Sequence, residues 1–502
     1  MGQKETFFKY INDGYKTTGD FITMGAAMLG EETVREAFVK IPLKTLNRHG
    51  LIAGATGTGK TKTLQVLAEN LSEKGIPVLL MDVKGDLSGL AKASPGHPKI
   101  DERHQKIGLP FDAKNFPVEI LTISKQDGAR LRATVSEFGP VLLSRILDLT
   151  ETQSGIVSVL FKYCDDKKLP LLDLKDFKKI LQYATQEGKK ELEAEYGRVS
   201  TSSTGSILRK IVEIEQQGGD LFFGERSFEV EDLTRIDKDG KGVISVLRLT
   251  DIQDKPKLFS TFMLQLLAEI YSTFPEQGDS GRPELVLFID EAHLIFKEAS
   301  KALLSQLESI VKLIRSKGIG IYFVTQNPKD IPSDVLSQLG LKIQHALRAF
   351  TAKDRKAIKL TAENYPDSEY YDTAEVLTQL GIGEALISCL NEKGIPTPLA
   401  RTMLRAPMSR MDILSKSELD ELISNSKIVK KYNEEIDRES AYEILNGKID
   451  KATELEEKEK EAKKSKRKTS ERKSTRMNPI LKVITSATFL RGVFGVLKKV
   501  MR

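Results

Sequence analysis

The chain is poor in cysteine and contains no long apolar run. Its 502 residues include two cysteines, Cys164 and Cys389, far apart and each in an apolar pattern. They form no disulfide framework and no metal-ligand spacing, so we expect buried thiols in a reducing compartment. The chain contains no run of about 18 apolar residues, which is the length needed to span a membrane. The N-terminus lacks the basic start and apolar core of a secretory signal, so we expect a cytoplasmic protein.

Charge is distributed unevenly along the chain. The formal net charge is +6, but residues 461–476 alone carry +6 and residues 477–502 carry +5. The preceding 460 residues therefore sum to about −5, and the basicity belongs to the tail. A hydrophobic content of 40% and a charged content of 29% describe an ordinary globular protein with ample core.

A phosphate-binding loop follows the short apolar run at residues 51–53. Its glycines let the backbone wrap around an anion with the N–H groups pointing inward, and the positive end of the next helix adds to the attraction. Lys60 is predicted to reach the β- and γ-phosphates, and the Thr61 hydroxyl to bind Mg²⁺. The predicted nucleotide contacts are Gly54, Ala55, Thr56, Gly57, Thr58, Gly59, Lys60, Thr61 and Lys62.

Two acidic residues follow a second apolar strand, residues 285–289. Asp290 is predicted to hold Mg²⁺, and Glu291 to act as the general base toward water. Gln326 closes the next strand, residues 320–324, where it could contact both the γ-phosphate and the water. The alternative is a polar residue that only ends a strand. His293 is interpreted as supporting the site or packing at the start of the next helix.

Apolar strands that alternate with amphipathic helices predict an α/β fold whose mainly parallel sheet is covered on both faces. The predicted P-loop core consists of residues 46–130 and 236–410, interrupted by a helical insertion at 131–235. A short segment, 1–45, precedes it and has one possible strand at 37–41.

The C-terminal part is predicted to be helical and charged. Residues 411–450 are predicted as helices, and 451–478 as a charged, disordered linker or solvated helix. Residues 479–502 have an apolar stripe that repeats four-three beside lysines and arginines, which indicates an amphipathic basic helix.

Four segments together resemble the HerA/FtsK superfamily of P-loop ATPases. They are residues 49–61, 81–86, 288–293 and 318–328. The resemblance is closest to a bacterial group of HerA-like ATPases of unsettled role and covers nearly the whole chain. The letters Asp290-Glu-Ala-His293 also spell a helicase box, but the other motifs of that helicase family are absent.

The resemblance implies a ring of six RecA-like subunits that bind ATP between neighbours and drive duplex DNA through the centre. It also implies an arginine supplied by the adjacent subunit, for which Arg315 is the first candidate and Arg348 the second. The plain alternative for Arg315 is a cation favoured at a helix end. HerA proteins proper carry an N-terminal β-barrel, whereas about 50 residues precede the phosphate loop here.

By the same resemblance, Asp82, Lys84 and Asp86 line the nucleotide or Mg²⁺ region; from the bare sequence they could equally form a charged turn.

Two classes of function remain open. The first is a Mg²⁺-dependent ATPase that acts as a hexameric DNA translocase or helicase-like motor. The second is an assembly or switch ATPase that acts on a protein partner through its C-terminal helix. That helix could also bind an anionic membrane surface.

Overall fold

The computed structural model describes residues 2–278, 280–296, 301–434, 436 and 438–470. It divides into one unit at Met1–Tyr442 and another at Glu443–Arg502. Among the described residues, the strands are β1 (Phe21–Leu29), β2 (Glu32–Pro42), β3 (Gly50–Ala53), β4 (Val78–Asp82), β5 (Val118–Thr122), β6 (Ala129–Arg130), β7 (Ile244–Arg248), β8 (Leu285–Ile289), β9 (Ile319–Thr325), β10 (Leu341–Gln344), β11 (Glu384–Ser388) and β12 (Ala400–Leu404).

These twelve strands form one sheet in the order β2-β1-β12-β11-β10-β3-β9-β8-β4-β7-β5-β6. From β10 to β6 every neighbouring pair is parallel. From β2 to β10 every pair is antiparallel. The predicted α/β fold with a mainly parallel sheet is confirmed.

Burial explains why the central strands are apolar throughout. Every residue of β3, β4, β8 and β9 is buried, so both faces of the sheet are covered there. In the described part of the chain the helices are α1 (Gln3–Gly14), α2 (Lys60–Glu73), α3 (Pro98–Ile107), α4 (Val135–Ile146), α5 (Glu151–Asp166), α6 (Leu174–Thr185), α7 (Lys189–Tyr196), α8 (Thr201–Gln216), α9 (Gly219–Phe222), α10 (Pro256–Thr273), α11 (His293–Phe296), α12 (Lys301–Ile314), α13 (Ser333–Leu336), α14 (Ala352–Ala362), α15 (Thr373–Gln379), α16 (Lys416–Asn425), α17 (Lys427–Asn433) and α18 (Ala441–Ser470).

The connections between the parallel strands contain helices where the sequence predicts them. Helix α2 connects β3 to β4, and six helices, α4 to α9, lie between β6 and β7 in the region where we predict a helical insertion. In α12 the apolar side chains of Leu307, Ile310 and Ile314 are buried, as their spacing indicates.

The N-terminal segment contains more structure than the single strand expected at 37–41. It forms α1, β1 and β2, and β1 extends the sheet by pairing with β12. The approach is close at Gly25, where a Cβ atom would lie 1.9 Å from the carbonyl oxygen of Met403. Only glycine therefore fits at this point of β1.

The C-terminal segment is helical as far as Ser470, so the described part of the expected linker, 451–470, lies within α18. The amphipathic helix predicted at 479–502 lies outside the described residues. None of the described helices combines the length and the apolar character needed to cross a bilayer.

Candidate active site

The sheet order brings the predicted site residues to one edge. Strands β3, β9 and β8 are parallel neighbours, so their carboxyl ends meet. The phosphate loop follows β3, Gln326 follows β9, and Asp290 and Glu291 follow β8. Strand β4, which pairs with β8, adds Lys84 to the same edge.

The phosphate loop has the backbone that its glycines permit. Gly54, Gly57 and Gly59 have φ angles of 153°, 78° and 112°, which other residues rarely adopt. A Cβ atom on Gly54 would also lie 2.5 Å from Cβ of His345. The N–H of Ala55 donates to the carbonyl of Ala346 at 2.8 Å, which ties the loop to the segment after β10.

Lys60 reaches back over this loop. Its Nζ donates to the carbonyl oxygens of Gly54 at 2.7 Å and Ala55 at 3.1 Å. Burial and the charge of Lys84 lower the pKa of Lys60, while the two carboxylates after β8 oppose them. Thr61 lies beside it in the first turn of α2. Lys62 instead donates to the carbonyl of Met411.

Asp290 and Glu291 are 4% and 7% exposed. Lys84 Nζ lies 2.8 Å from Glu291 Oε1 and 3.8 Å from Asp290 Oδ2. The Gln326 side chain lies close enough to the Glu291 carboxylate to act toward a lower pKa for that group. His293 Nδ1 lies 3.2 Å from Glu291 Oε2, a buried oxygen without a hydrogen-bond partner among the described residues. The structure thus gathers both predicted acids with Lys84 and Gln326.

The two acids have opposite pKa shifts. Burial and the neighbouring Glu291 charge raise the pKa of Asp290 to about 6, although Lys84 opposes them. Burial also acts to raise the pKa of Glu291, but Lys84, His293 and Gln326 outweigh it, and that pKa lies below its ordinary value. Glu291 is therefore ionised near neutral pH, as a general base requires.

The Asp82 carboxylate accepts hydrogen bonds from the backbone of the turn that follows β4. Its Oδ1 accepts from the N–H groups of Gly85 at 2.6 Å and Asp86 at 3.2 Å, and its Oδ2 accepts from Leu87 at 3.2 Å. Burial raises its pKa to about 6. Asp82 thus folds the turn that presents Lys84, and its carboxylate is directed into that turn.

The two candidate arginines lie on opposite edges of the sheet. Arg315 follows α12 and precedes β9, whereas Gln326 follows β9. Because β9 has seven residues, its ends are separated by roughly 23 Å. Arg315 is exposed on the edge away from its own phosphate loop. Arg348 is exposed in the segment after β10, on the same edge as that loop.

Sequence reasoning missed His345, which packs against the phosphate loop. Its Nε2 lies 2.9 Å from Thr63 Oγ1 in α2, and it is completely buried. Burial lowers its pKa to about 4, and the Lys60 charge adds to this effect. The signal available was its position directly after β10, the parallel neighbour of β3.

A cavity of about 300 Å³ opens beside the first turn of α2. Arg103 forms part of its wall and donates to the carbonyl oxygens of Ile382, Gly383 and Leu404 at 3.1–3.2 Å. The cavity is lined by Gly59, Lys62, Thr63, His97, Lys99, Ile100, Arg103, Ile382, Gly383, Leu404, Arg405, Ala406, Pro407 and Met411.

Solved structures share this fold. The bacterial conjugative coupling protein TrwBdeltaN70 matches with a TM-score of 0.51 at 14% identity, over 81% of this chain and 94% of that one. The plasmid coupling protein TrwB in complex with the ATP analogue ADPNP matches with a TM-score of 0.50 at 15% identity, over 80% of this chain and 99% of that one.

Sequence comparisons identify the family. The DNA double-strand break repair helicases HerA of Sulfolobus acidocaldarius and Saccharolobus solfataricus are 24% and 26% identical over 373 residues, which are 72% of this chain and 66% of each relative. The DNA import protein CedB of S. acidocaldarius is 27% identical over 76% of this chain and 56% of its own length. The match thus spans less than two thirds of these relatives. The model of the helicase HerA-like C-terminal family matches residues 28–489, and the chain belongs to that family.

Proposed function

We propose that this chain is a Mg²⁺-dependent ATP hydrolase that works as a ring-shaped motor on DNA. One observation carries the proposal. Glu291, ionised and paired with Lys84, lies with Gln326 on the sheet edge that carries the phosphate loop. A phosphate cradle beside an ionised carboxylate suits the attack of water on a terminal phosphate.

The chain's own groups divide the work of hydrolysis. The loop N–H groups and Lys60 bind the phosphate oxygens. Glu291 accepts the proton of the attacking water, and Lys84 keeps this carboxylate ionised and in place. The Gln326 amide, within reach of Glu291, orients the water. Each group thus has one task at one position.

The oxygen donors at this edge fit Mg²⁺. The Thr61 hydroxyl and the Asp290 carboxylate would hold the ion, which when bound neutralises charge on the phosphates. The described residues contain no group of three or more histidine, cysteine or acidic side chains around one point. A site with few protein ligands suits Mg²⁺, because this ion keeps several waters and binds phosphate oxygens.

The cavity beside α2 is suited to the base and ribose of the nucleotide. It borders Gly59 and Thr63 on the loop side, and apolar Ile100 and Leu404 line its wall. Nucleotide pockets are mostly apolar with a few placed polar groups, and the carbonyls held by Arg103 supply acceptors for an amino group. We therefore assign the adenine ring to this cavity.

The exposed position of Arg315 supports an assembly in which neighbours complete each other's sites. In a head-to-tail ring the edge with Arg315 would face the neighbour's phosphate loop. An arginine there would stabilise charge on the reacting phosphate. DNA is proposed as the substrate because the printed names of the relatives include repair helicases and a DNA import protein.

The test is ATP hydrolysis by the full chain with Mg²⁺, with and without duplex or single-stranded DNA, at several salt concentrations. We expect DNA to stimulate hydrolysis and the stimulation to fall steeply with salt, since phosphate contacts release counterions. A Lys60→Ala variant supplies the background rate. A basal ATPase that no form of DNA changes would overturn the DNA assignment and favour action on a protein partner.

A further inference from the structure

His49 joins three elements at the edge of the sheet opposite the phosphate loop. Its Nε2 lies 2.8 Å from the carbonyl oxygen of Val311 in α12, and its Nδ1 accepts from the N–H of Ile321 in β9 at 3.1 Å. A carbonyl only accepts and an N–H only donates, so the ring is neutral with its proton on Nε2. Burial lowers its pKa to about 4, and the nearby Arg315 charge acts in the same direction.

The backbone of His49 is strained. Its φ and ψ angles are 55° and 170°, a region populated almost only by glycine. The side chain is 2% exposed, and both ring nitrogens are hydrogen-bonded. Strained residues persist where their surroundings fix them, and they concentrate at functional positions. The side chain at this position thus contributes something that glycine could not.

The contacts of His49 connect the two halves of the proposed hydrolysis machinery. Val311 lies four residues before Arg315, about one helical turn of α12. His49 itself immediately precedes β3, whose four residues lead directly to Gly54 and the phosphate loop. The ring therefore holds the helix that leads directly to Arg315 against the strand that carries the subunit's own nucleotide loop.

We propose that His49 is a positioning residue that fixes the end of α12, so that Arg315 is presented to the nucleotide of the neighbouring subunit. The inference rests on the proposed function, because Arg315 has this role only in an assembly. His49 touches no nucleotide. Its effect reaches the neighbour's site through Val311 and the last turn of α12.

A matched pair of variants separates the two hydrogen bonds of His49. In His49→Asn the amide oxygen takes the place of Nδ1 and keeps the Ile321 bond, but no donor reaches Val311. In His49→Gln the amide nitrogen takes the place of Nε2 and keeps the Val311 bond. Asparagine and histidine are both among the non-glycine residues enriched at positive φ, so His49→Asn is the substitution that changes the backbone preference least.

We expect His49→Asn to lower kcat by about 10²-fold, because a misplaced charge group costs about that factor, with KM for ATP within about twofold. His49→Gln should stay within about threefold of the wild-type kcat. If the Asn variant does not fold, the Gln variant still decides. A folded His49→Gln protein that loses more than about tenfold in kcat would overturn the assignment.

Mixed assemblies identify the subunit on which His49 acts. His49→Asn subunits keep an intact phosphate loop, and Lys60→Ala subunits keep an intact Arg315. Mixing them should restore hydrolysis, as it should for Arg315→Ala mixed with Lys60→Ala. If only the Arg315→Ala mixture recovers, the proposed function stands and the His49 inference falls. If neither mixture recovers although mixed assembly is verified, the shared site itself is wrong, and the inference falls with it.

Discussion

Lys84 Nζ lies 2.8 Å from Glu291 Oε1, across the edge where β4 and β8 end. Burial acts to lower the pKa of Lys84, but the charges of Asp290 and Glu291 outweigh it and raise that pKa. The same ion pair lowers the pKa of Glu291 against the effect of burial. A lysine from the turn shaped by Asp82 thus sets the charge of the proposed general base.

Replacement of Lys84 by methionine should impair catalysis more than binding. Without the ammonium, the buried Glu291 carboxylate loses its hydrogen bond, and burial then raises its pKa. We expect kcat to fall by about 10²-fold, at the lower end of general-base effects. Steady-state hydrolysis across pH should show the acidic limb of the kcat profile moved to higher pH, because Glu291 must be ionised to act as the base. Lys125→Met, another exposed lysine after a strand, serves as the control and should leave kcat unchanged.

Glu291→Gln should separate ATP binding from hydrolysis. The amide keeps the size and hydrogen bonding of the side chain but cannot accept a proton, so kcat should fall by about 10²- to 10⁴-fold. The dissociation constant for ATP should remain within about threefold, because Glu291 is not part of the phosphate loop. Isothermal calorimetry and single-turnover hydrolysis measure the two quantities. Normal turnover by this variant would remove Glu291 from the base role.

Gly54→Ala should disrupt the phosphate loop. The added Cβ would lie 2.5 Å from Cβ of His345, at a φ of 153° that alanine rarely adopts. We expect a lower melting temperature and a loss of ATP binding. Gly155→Ala is the matched control, because a Cβ at Gly155 in α5 has open space. That change should stabilise the protein by about 0.5–1 kcal/mol, and equal effects of the two substitutions would contradict the packing described at Gly54.

Ile382→Asp tests the base cavity. Ile382 lines the cavity and is 74% exposed. A carboxylate at this position faces the base and ribose, so KM for ATP should rise by about tenfold or more, while kcat changes little, as expected for a group that binds ground and transition states equally. Ile395→Asp changes another exposed isoleucine, outside the cavity lining, and should leave KM unchanged. A similar KM for both variants and the wild type would place the base elsewhere.

Local patterns predicted which residues lie together at the candidate site. The loop before α2 and the acids after β8 each follow an apolar strand, and parallel strands bring their carboxyl ends together whatever the rest of the fold does. Burial of the central strands then follows from their composition. Their partners were not predictable in this way. From the sequence alone, Lys84 could equally belong to a charged turn. Only the sheet order shows that β4 lies beside β8, which brings Lys84 to Glu291.

The missed features depend on contacts between distant parts of the chain. His345 packs on Gly54, and Arg103 contacts Gly383, across 291 and 280 residues respectively, and neither has a local pattern that marks it. Helix α1 buries only Phe7 and Ile11, so its polar sequence gave a weak signal. Strand β1 contains Gly25, a residue type that disfavours strands, and the close approach of β12 that requires glycine there has no sign in the local sequence.

The central claim is that each hydrolysis site is completed by a neighbouring subunit. Arg315→Ala and Lys60→Ala proteins should each be inactive alone, and mixing them should raise hydrolysis at least about tenfold above the sum of the separate rates, because such arginines contribute about 10³–10⁵ in kcat. Arg348→Ala, on the edge of its own phosphate loop, is the comparison and should gain nothing from mixing. An Arg315→Ala mixture that stays at the summed rate, with mixed assembly verified by native mass spectrometry, would contradict the account.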